Sequence, residues 1–192
     1  MSQYSTNLTD KQWRVIEKII NPQERQRKHQ LRDIMDTLHS LVRKMIGREE
    51  SPSLGIIDSR SVKTSHHVDS DRGIDGNKKV KGHKEHIVVD TLGIPMAVAV
   101  HEANLHDSKG ANKVIGKLEY KFPRLRKILV DGGYQGSLGD WVAKKFGWIV
   151  ERTFSWLENF RRLTIDYEFL AETADAMVQL ACVQIMLNKF FV

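Results

Sequence analysis

Apolar positions along the chain follow one period before Pro52 and another after it. In the first part they recur every three to four residues, the spacing of a helix with one buried face. Thr9-Asp10-Lys11-Gln12 reads as a capping box, with Leu8 ahead of it as a hydrophobic staple. Trp13, Ile16, Ile19 and Ile20 then share a face. Past Pro22 and the basic positions Arg25, Arg27 and Lys28, a second helix is predicted over 29–46. Its stripe is Leu31, Ile34/Met35, Leu38, Leu41/Val42 and Met45, and Gly47 is its stop.

Beyond Pro52 the pattern shortens to strands. Residues 54–58 (LGIID) predict a strand ending in a carboxylate, and the polar, glycine-bearing stretch 59–84 predicts a loop or an edge hairpin. Residues 85–91 and 94–100 form a predicted antiparallel hairpin joined at Leu92-Gly93. A helix is expected over 108–120, with Val114, Ile115 and Leu118 facing inward. A strand over 126–131 again ends in aspartate, and helices follow over 137–146, 149–162 and 173–190. This order predicts a layered α/β domain over 49–192, preceded by a small helical region over 1–48.

Composition narrows the class. Of 192 residues, 41% are hydrophobic and 28% charged, which fits a folded globular chain. The apolar run near the C-terminus is broken by Gln179, Gln184, Asn188 and Lys189 and is short for a bilayer, so it predicts a buried helix and no membrane partner. Nothing at the N-terminus reads as a signal peptide. The single cysteine, Cys182, lies in an apolar run and reads as a small core residue. A cytoplasmic setting is the expectation. A net charge of +6 favours a polyanionic partner.

Two apolar strands that end in aspartate, Ile56-Ile57-Asp58 and Ile128-Leu129-Val130-Asp131, put carboxylates where α/β folds place ligands. Either aspartate could instead open a turn. Glu151 could likewise be a first-turn glutamate favoured by the helix dipole. Three converging carboxylates would be costly to bury without cations, and they would suit a pair of Mg²⁺ ions. The histidines at 66, 67, 101 and 106 match no zinc spacing.

The strings GIIDSRSVKT (55–64), KKVKGHKEHIVVDTLG (78–93), FPRLRKILVDGGYQG (122–136) and IVERTFSWLENFRRLTIDYE (149–168) resemble the catalytic segments of IS5-type insertion-sequence transposases of the DDE superfamily. The resemblance implies an RNase H-like catalytic core and strand transfer with two Mg²⁺ (or Mn²⁺) ions. It places the triad, as catalytic and metal-binding residues, on Asp58, Asp131 and Glu151. It also implies phosphate contacts for Lys63, Lys78, Lys79, Lys81, Lys84, Arg152, Arg161 and Arg162, with His83 and His86 in the same basic segment. A solvated edge hairpin is the other reading of the lysine segment, and ordering of the carboxylates or a surface salt bridge the other readings of Arg152. Trp156 reads as core. The implied partners are double-stranded DNA, as terminal inverted repeats and target, and further copies of the chain in a homodimer or synaptic complex. No small-molecule substrate is implied.

Two departures from the family pattern stand out. Asp58 and Asp131 are 73 positions apart, but Asp131 and Glu151 are only 20 apart. The family places several tens of residues in the second interval, with another core strand and an arginine four positions before the glutamate. Here that position is Gly147. The tryptophan- and proline-rich stretch expected after Leu41 is also missing, the chain passing directly into Val42-Arg43-Lys44. A shortened transposase that only binds DNA or other subunits, as an inhibitor, is therefore the alternative expectation.

Overall fold

The computed structural model describes residues 8–20, 31–68, 72–118, 120–130 and 148–191. Helix α1 (Asp10–Ile20) starts at the capping box. The Thr9 backbone N–H donates to Gln12 Oε1 at 2.8 Å, and the Gln12 N–H donates to Thr9 Oγ1 at 3.4 Å. Helix α2 (Leu31–Met45) buries Ile34, Met35, Leu38 and Val42. It ends where Gly47 takes φ +71°, a left-handed turn open to glycine at no steric cost. Trp13 and Met45 were expected on buried faces, but they are 52% and 47% exposed.

Five strands form one mixed sheet: β1 (Leu54–Lys63), β2 (Gly73–Asp75), β3 (Val80–Asp90), β4 (Pro95–Glu102) and β5 (Lys127–Val130). β3 runs through the middle, antiparallel to β1 on one side and to β4 and β2 on the other. β5 adds to the far edge of β1 in parallel. Asp90 closes the predicted β3–β4 hairpin, accepting the N–H groups of Leu92 and Ile94 on Oδ1 at 2.9 Å each. The polar stretch 59–84, expected as a loop or an edge hairpin, holds the β2–β3 hairpin together with the second half of β1. Its serines, lysines and histidines find ladder partners and ion pairs, so polarity did not exclude pairing.

Helices cover both faces, giving the α/β fold of an RNase H-like core. α3 (Asp107–Gly116) lies on one side with Ala111, Val114 and Leu118 against Ile57, Val88, Met96 and Ala97. It is shorter than expected, and Ile115 faces out at 36% exposure. On the other side, α4 (Trp148–Glu158), α5 (Arg161–Thr164) and α6 (Ala171–Phe190) share one core with α1, α2, Ile56, Ile87, Val89 and Val98. The helix expected over 149–162 is thus two helices with a break at Asn159-Phe160. Leu38, Met186 and Leu187 are 0% exposed in that core, each worth about 1.5–3 kcal/mol of burial. The helix expected over 137–146 lies outside the described residues. Among the described residues no helix is long and apolar enough to cross a membrane.

Gly82 sits where three strands meet, paired with Lys63 of β1 and Gly73 of β2. A Cβ there would stand 2.0 Å from the Val62 carbonyl oxygen, a backbone atom that cannot step aside. Gly82→Ala is therefore expected to cost about 1–3 kcal/mol or more, lowering the melting temperature by roughly 2–4 °C per kcal/mol. Thermal melting by circular dichroism reads this directly.

Several histidines are buried. Burial pushes the His39 imidazole down to about 4, with Asp90 opposing and Arg43 adding to the shift. Burial does the same to His86, also to about 4, helped by the ring of His101 stacked 4.9 Å away. In the unfolded chain both titrate near 6.5. Between about pH 6.5 and pH 4 the unfolded state therefore binds more protons, and stability falls as pH drops through that window. Urea unfolding is expected to show a lower midpoint at pH 5 than at pH 7. A His86→Leu variant should lose less between the two.

A carboxylate face beneath the fourth helix

Asp58 was expected at the end of its strand, but it lies inside β1, half-buried and opposite Ile87. The ladder runs on to Lys63 because Ser59, Arg60 and Ser61 each find partners. Arg60 Nε donates to Glu85 Oε2 at 2.7 Å, and Ser61 Oγ donates to Asp75 Oδ2 at 2.5 Å. Alternation along β1 assigns the faces. Ile57 packs on the α3 side, whereas Ile56 packs on the side of α4 to α6. Asp58 and Arg60 share the face of Ile56. The Ser59 backbone N–H donates to Asp58 Oδ1 at 2.6 Å, which fixes one carboxylate oxygen.

The parallel pairing of β1 with β5 ends at Ile57↔Val130. These two residues directly precede Asp58 and Asp131 in sequence. Asp131 itself lies outside the described residues.

Helix α4 runs over the face that carries Asp58. Its N-terminal part is tied to the β3–β4 turn, where Thr153 Oγ1 donates to the Gly93 carbonyl at 3.1 Å and Arg152 Nη2 donates to the Leu92 carbonyl at 2.9 Å. Farther along, Arg60 reaches the Phe154 carbonyl at 3.5 Å and Glu158 at 3.8 Å. The turn lies beside the start of β1, because Asp90 pairs with Gly55. α4 and β1 thus run in the same direction. Glu151, Phe154 and Glu158 fall on one stripe of the helix, three and seven positions apart. Glu151 therefore precedes the Arg60 contacts on its helix, as Asp58 precedes Arg60 on its strand. Glu151 is exposed. Among the described residues no three His, Cys, Asp or Glu side chains are grouped to hold a metal.

The basic residues divide into two sets. Lys63, Lys78, Lys79 and Lys81 are exposed at the end of the sheet formed by β1 and the β2–β3 hairpin. Asp75 organises that hairpin, accepting the N–H groups of Asn77 at 3.0 Å and Lys78 at 3.1 Å. Burial alone would raise the Asp75 carboxyl, but these bonds, with those from Ser61 and Lys84, hold it well below the usual range. Lys84 turns inward instead of outward. It is 6% exposed, and its ammonium lies 2.9 Å from Asp107 and 3.3 Å from Asp75. His83 and His86 are also buried, because β3 is covered on both faces, and His83 Nδ1 lies 2.7 Å from Asp166 Oδ2. Phosphate contact is closed to these three in this conformation.

Arg161 and Arg162 are exposed on α5, with Arg162 bonded to Glu168 at 2.7 Å. Arg152 is half-buried, its guanidinium 4.9 Å from the centre of the Trp156 ring. Lys189 of α6 approaches the same ring at 4.0 Å. Sequence reading missed Lys189, since no local motif marks a residue 38 positions from Glu151. Cys182 is buried as expected, and burial pushes its thiol well above the usual range.

Comparison with known proteins adds the family. The model described as "Transposase DDE domain" matches residues 49–146, half of the chain, a span that includes Asp58 and Asp131. A protein named as the transposase for insertion sequence element IS402 of Burkholderia cepacia is 31% identical over 134 residues. That match covers 56% of this chain and 64% of the relative. No solved structure matches. With half of the chain matched by that model, the chain belongs to the transposase DDE-domain family.

Proposed function

We propose that the chain is a metal-dependent DNA strand transferase that cuts at the ends of its element and joins the freed 3′-hydroxyls to target DNA. The observation that carries this reading is the parallel β1–β5 register, whose last pair, Ile57 and Val130, is followed in sequence by Asp58 and by Asp131. Glu151 is the third member, contributed by the helix over the same face.

The donor set is carboxylate oxygen throughout, the ligand chemistry of Mg²⁺ or Mn²⁺ and not of zinc. About two such ions, when bound, supply activation of the attacking oxygen and stabilisation of the departing one. The protein's own part is positional. The Ser59 amide orients the Asp58 carboxylate, and Arg60 ties β1 to α4 through Phe154 and Glu158. Lys63, Lys78, Lys79 and Lys81, with Arg152, Arg161 and Arg162, neutralise DNA phosphates, whereas Lys84 holds the base of the hairpin. The partners are duplex DNA and further copies of the chain that bring two element ends together.

Incubation with Mg²⁺ and a duplex carrying the element's own terminal repeats tests this. Wild-type protein is expected to nick the ends, and Asp131→Asn protein is expected not to. Undiminished cleavage by the variant would sink the proposal.

One observation favours a second reading. With only 20 positions between Asp131 and Glu151, there is little chain for a further inner strand. A carboxylate displaced by about 1 Å can cost on the order of 10²-fold in rate. On that reading the chain binds DNA or a longer relative without cutting. DNA binding that persists when no metal or duplex design yields nicks would select it.

A further inference from the structure

Past α5 the chain runs extended beside the end of β1. Asp166 pairs with Thr64 in parallel. Its N–H donates to the Lys63 carbonyl at 2.9 Å, and its own carbonyl accepts the Ser65 N–H at 2.7 Å. The Asp166 side chain turns inward to His83 Nδ1, 2.7 Å away. Alternation then turns Ile165 and Tyr167 outward, in register with Lys63 and Ser65. They are 41% and 52% exposed, and Leu170 at the foot of α6 is exposed as well. Large apolar side chains grouped at the surface in one short segment mark a contact. The surrounding charge identifies the partner. Glu168 is bonded to Arg162 and Asp166 to His83, so the carboxylates of the segment are engaged. Lys63, Lys81 and Arg161 are exposed at the same end of the sheet, and among the described residues none of the three forms an ion pair. A second copy of the chain meeting this face across a two-fold axis would bring like charges together. A duplex offers its phosphates, but stacking covers its base faces. Unpaired nucleotides offer both, phosphates for the cations and bare base faces for a tyrosine ring and its aliphatic neighbours.

We propose that Ile165, Tyr167 and Lys63 form a stacking surface for unpaired nucleotides of DNA. The proposal rests on the strand-transfer reading for its choice of DNA. Lys63 lies five positions beyond Asp58 on β1, roughly 16 Å along the strand. That distance is a few nucleotides, so the surface takes bases that open from the duplex beside the cut. Tyr167→Phe keeps the ring and serves as the conservative control.

The test is fluorescence anisotropy of a labelled oligodeoxythymidylate of about twelve residues, a single strand, with the full chain in metal-free buffer. Tyr167→Ala is expected to weaken binding about tenfold at every salt concentration. The slope of log affinity against log salt should not change, since no phosphate contact is lost. Lys63→Ala should instead flatten that slope by about 0.7, the share of one phosphate on a single strand. Tyr167→Phe should bind as wild type does. Tyr167 is more than half exposed, so its variants should melt with the wild type. Wild-type binding by Tyr167→Ala, or a Tyr167→Phe variant as weak as Tyr167→Ala, would overturn the stacking surface. Loss of self-association in Tyr167→Ala at unchanged oligonucleotide affinity would also overturn it and give the face to a second copy. A folded wild type that binds the element's duplex but no single strand would overturn the surface and leave the strand-transfer reading standing. A folded wild type that binds neither would overturn both.

Discussion

Asp90→Ala is expected to lower the unfolding free energy by about 3–5 kcal/mol, the range for breaking a buried ion pair by removing one partner. Asp90 is 0% exposed and takes an ion pair from Arg43 of α2, itself only 7% exposed. His39 lies 3.6 Å from the same carboxylate, and two turn amides bond its other oxygen. One side chain thus locks the β3–β4 turn to α2. Its loss strands a guanidinium in the core and opens the turn on which the start of α4 rests. Against a total stability of about 5–15 kcal/mol, that approaches global unfolding. Asp90→Asn keeps the turn acceptor and should fall between the two. Urea unfolding of the three proteins checks the order, and an alanine variant within about 1 kcal/mol of wild type would contradict it.

The second large effect is catalytic. Asp58→Asn is expected to reduce single-turnover cleavage by at least about 10³-fold, because a metal ligand's contribution of several kcal/mol converts at about 1.4 kcal/mol per tenfold in rate. Glu151→Gln should behave alike. Asp58 is half-buried and bonds its neighbour's amide, which an asparagine oxygen can still accept, so folding should be little affected. Duplex affinity in metal-free buffer should change less than about threefold, which separates loss of chemistry from loss of binding.

Much of this was legible in the residues. The capping box, the Gly47 stop and the Leu92-Gly93 hairpin emerge as read, because each depends on local backbone chemistry. The stretch from Ser59 to Lys84 holds the hairpin that was one of its two readings, but the run of β1 on to Lys63 was not read, since its polar side chains are satisfied through partners distant in sequence. His83 with Asp166 and Lys84 with Asp107 are pairs that no local pattern shows. The same holds for the site. Asp58 and Glu151 could be picked from their strings, whereas the shared face follows from strand alternation and from Arg60 reaching α4. The Trp156 cluster needs the return of α6 across α4, a tertiary event with no signature in either helix.

Asp58, Asp131 and Glu151 are proposed to form one divalent-metal centre. Titration of the folded chain with Mn²⁺, bound to a duplex of its element's end and followed by electron paramagnetic resonance, tests it most directly. About two tightly held ions per chain are expected in the wild type, with binding lost or sharply weakened in Asp58→Asn and Glu151→Gln at unchanged melting temperature. Equal Mn²⁺ binding by all three proteins, or none by a folded and DNA-bound wild type, would contradict it.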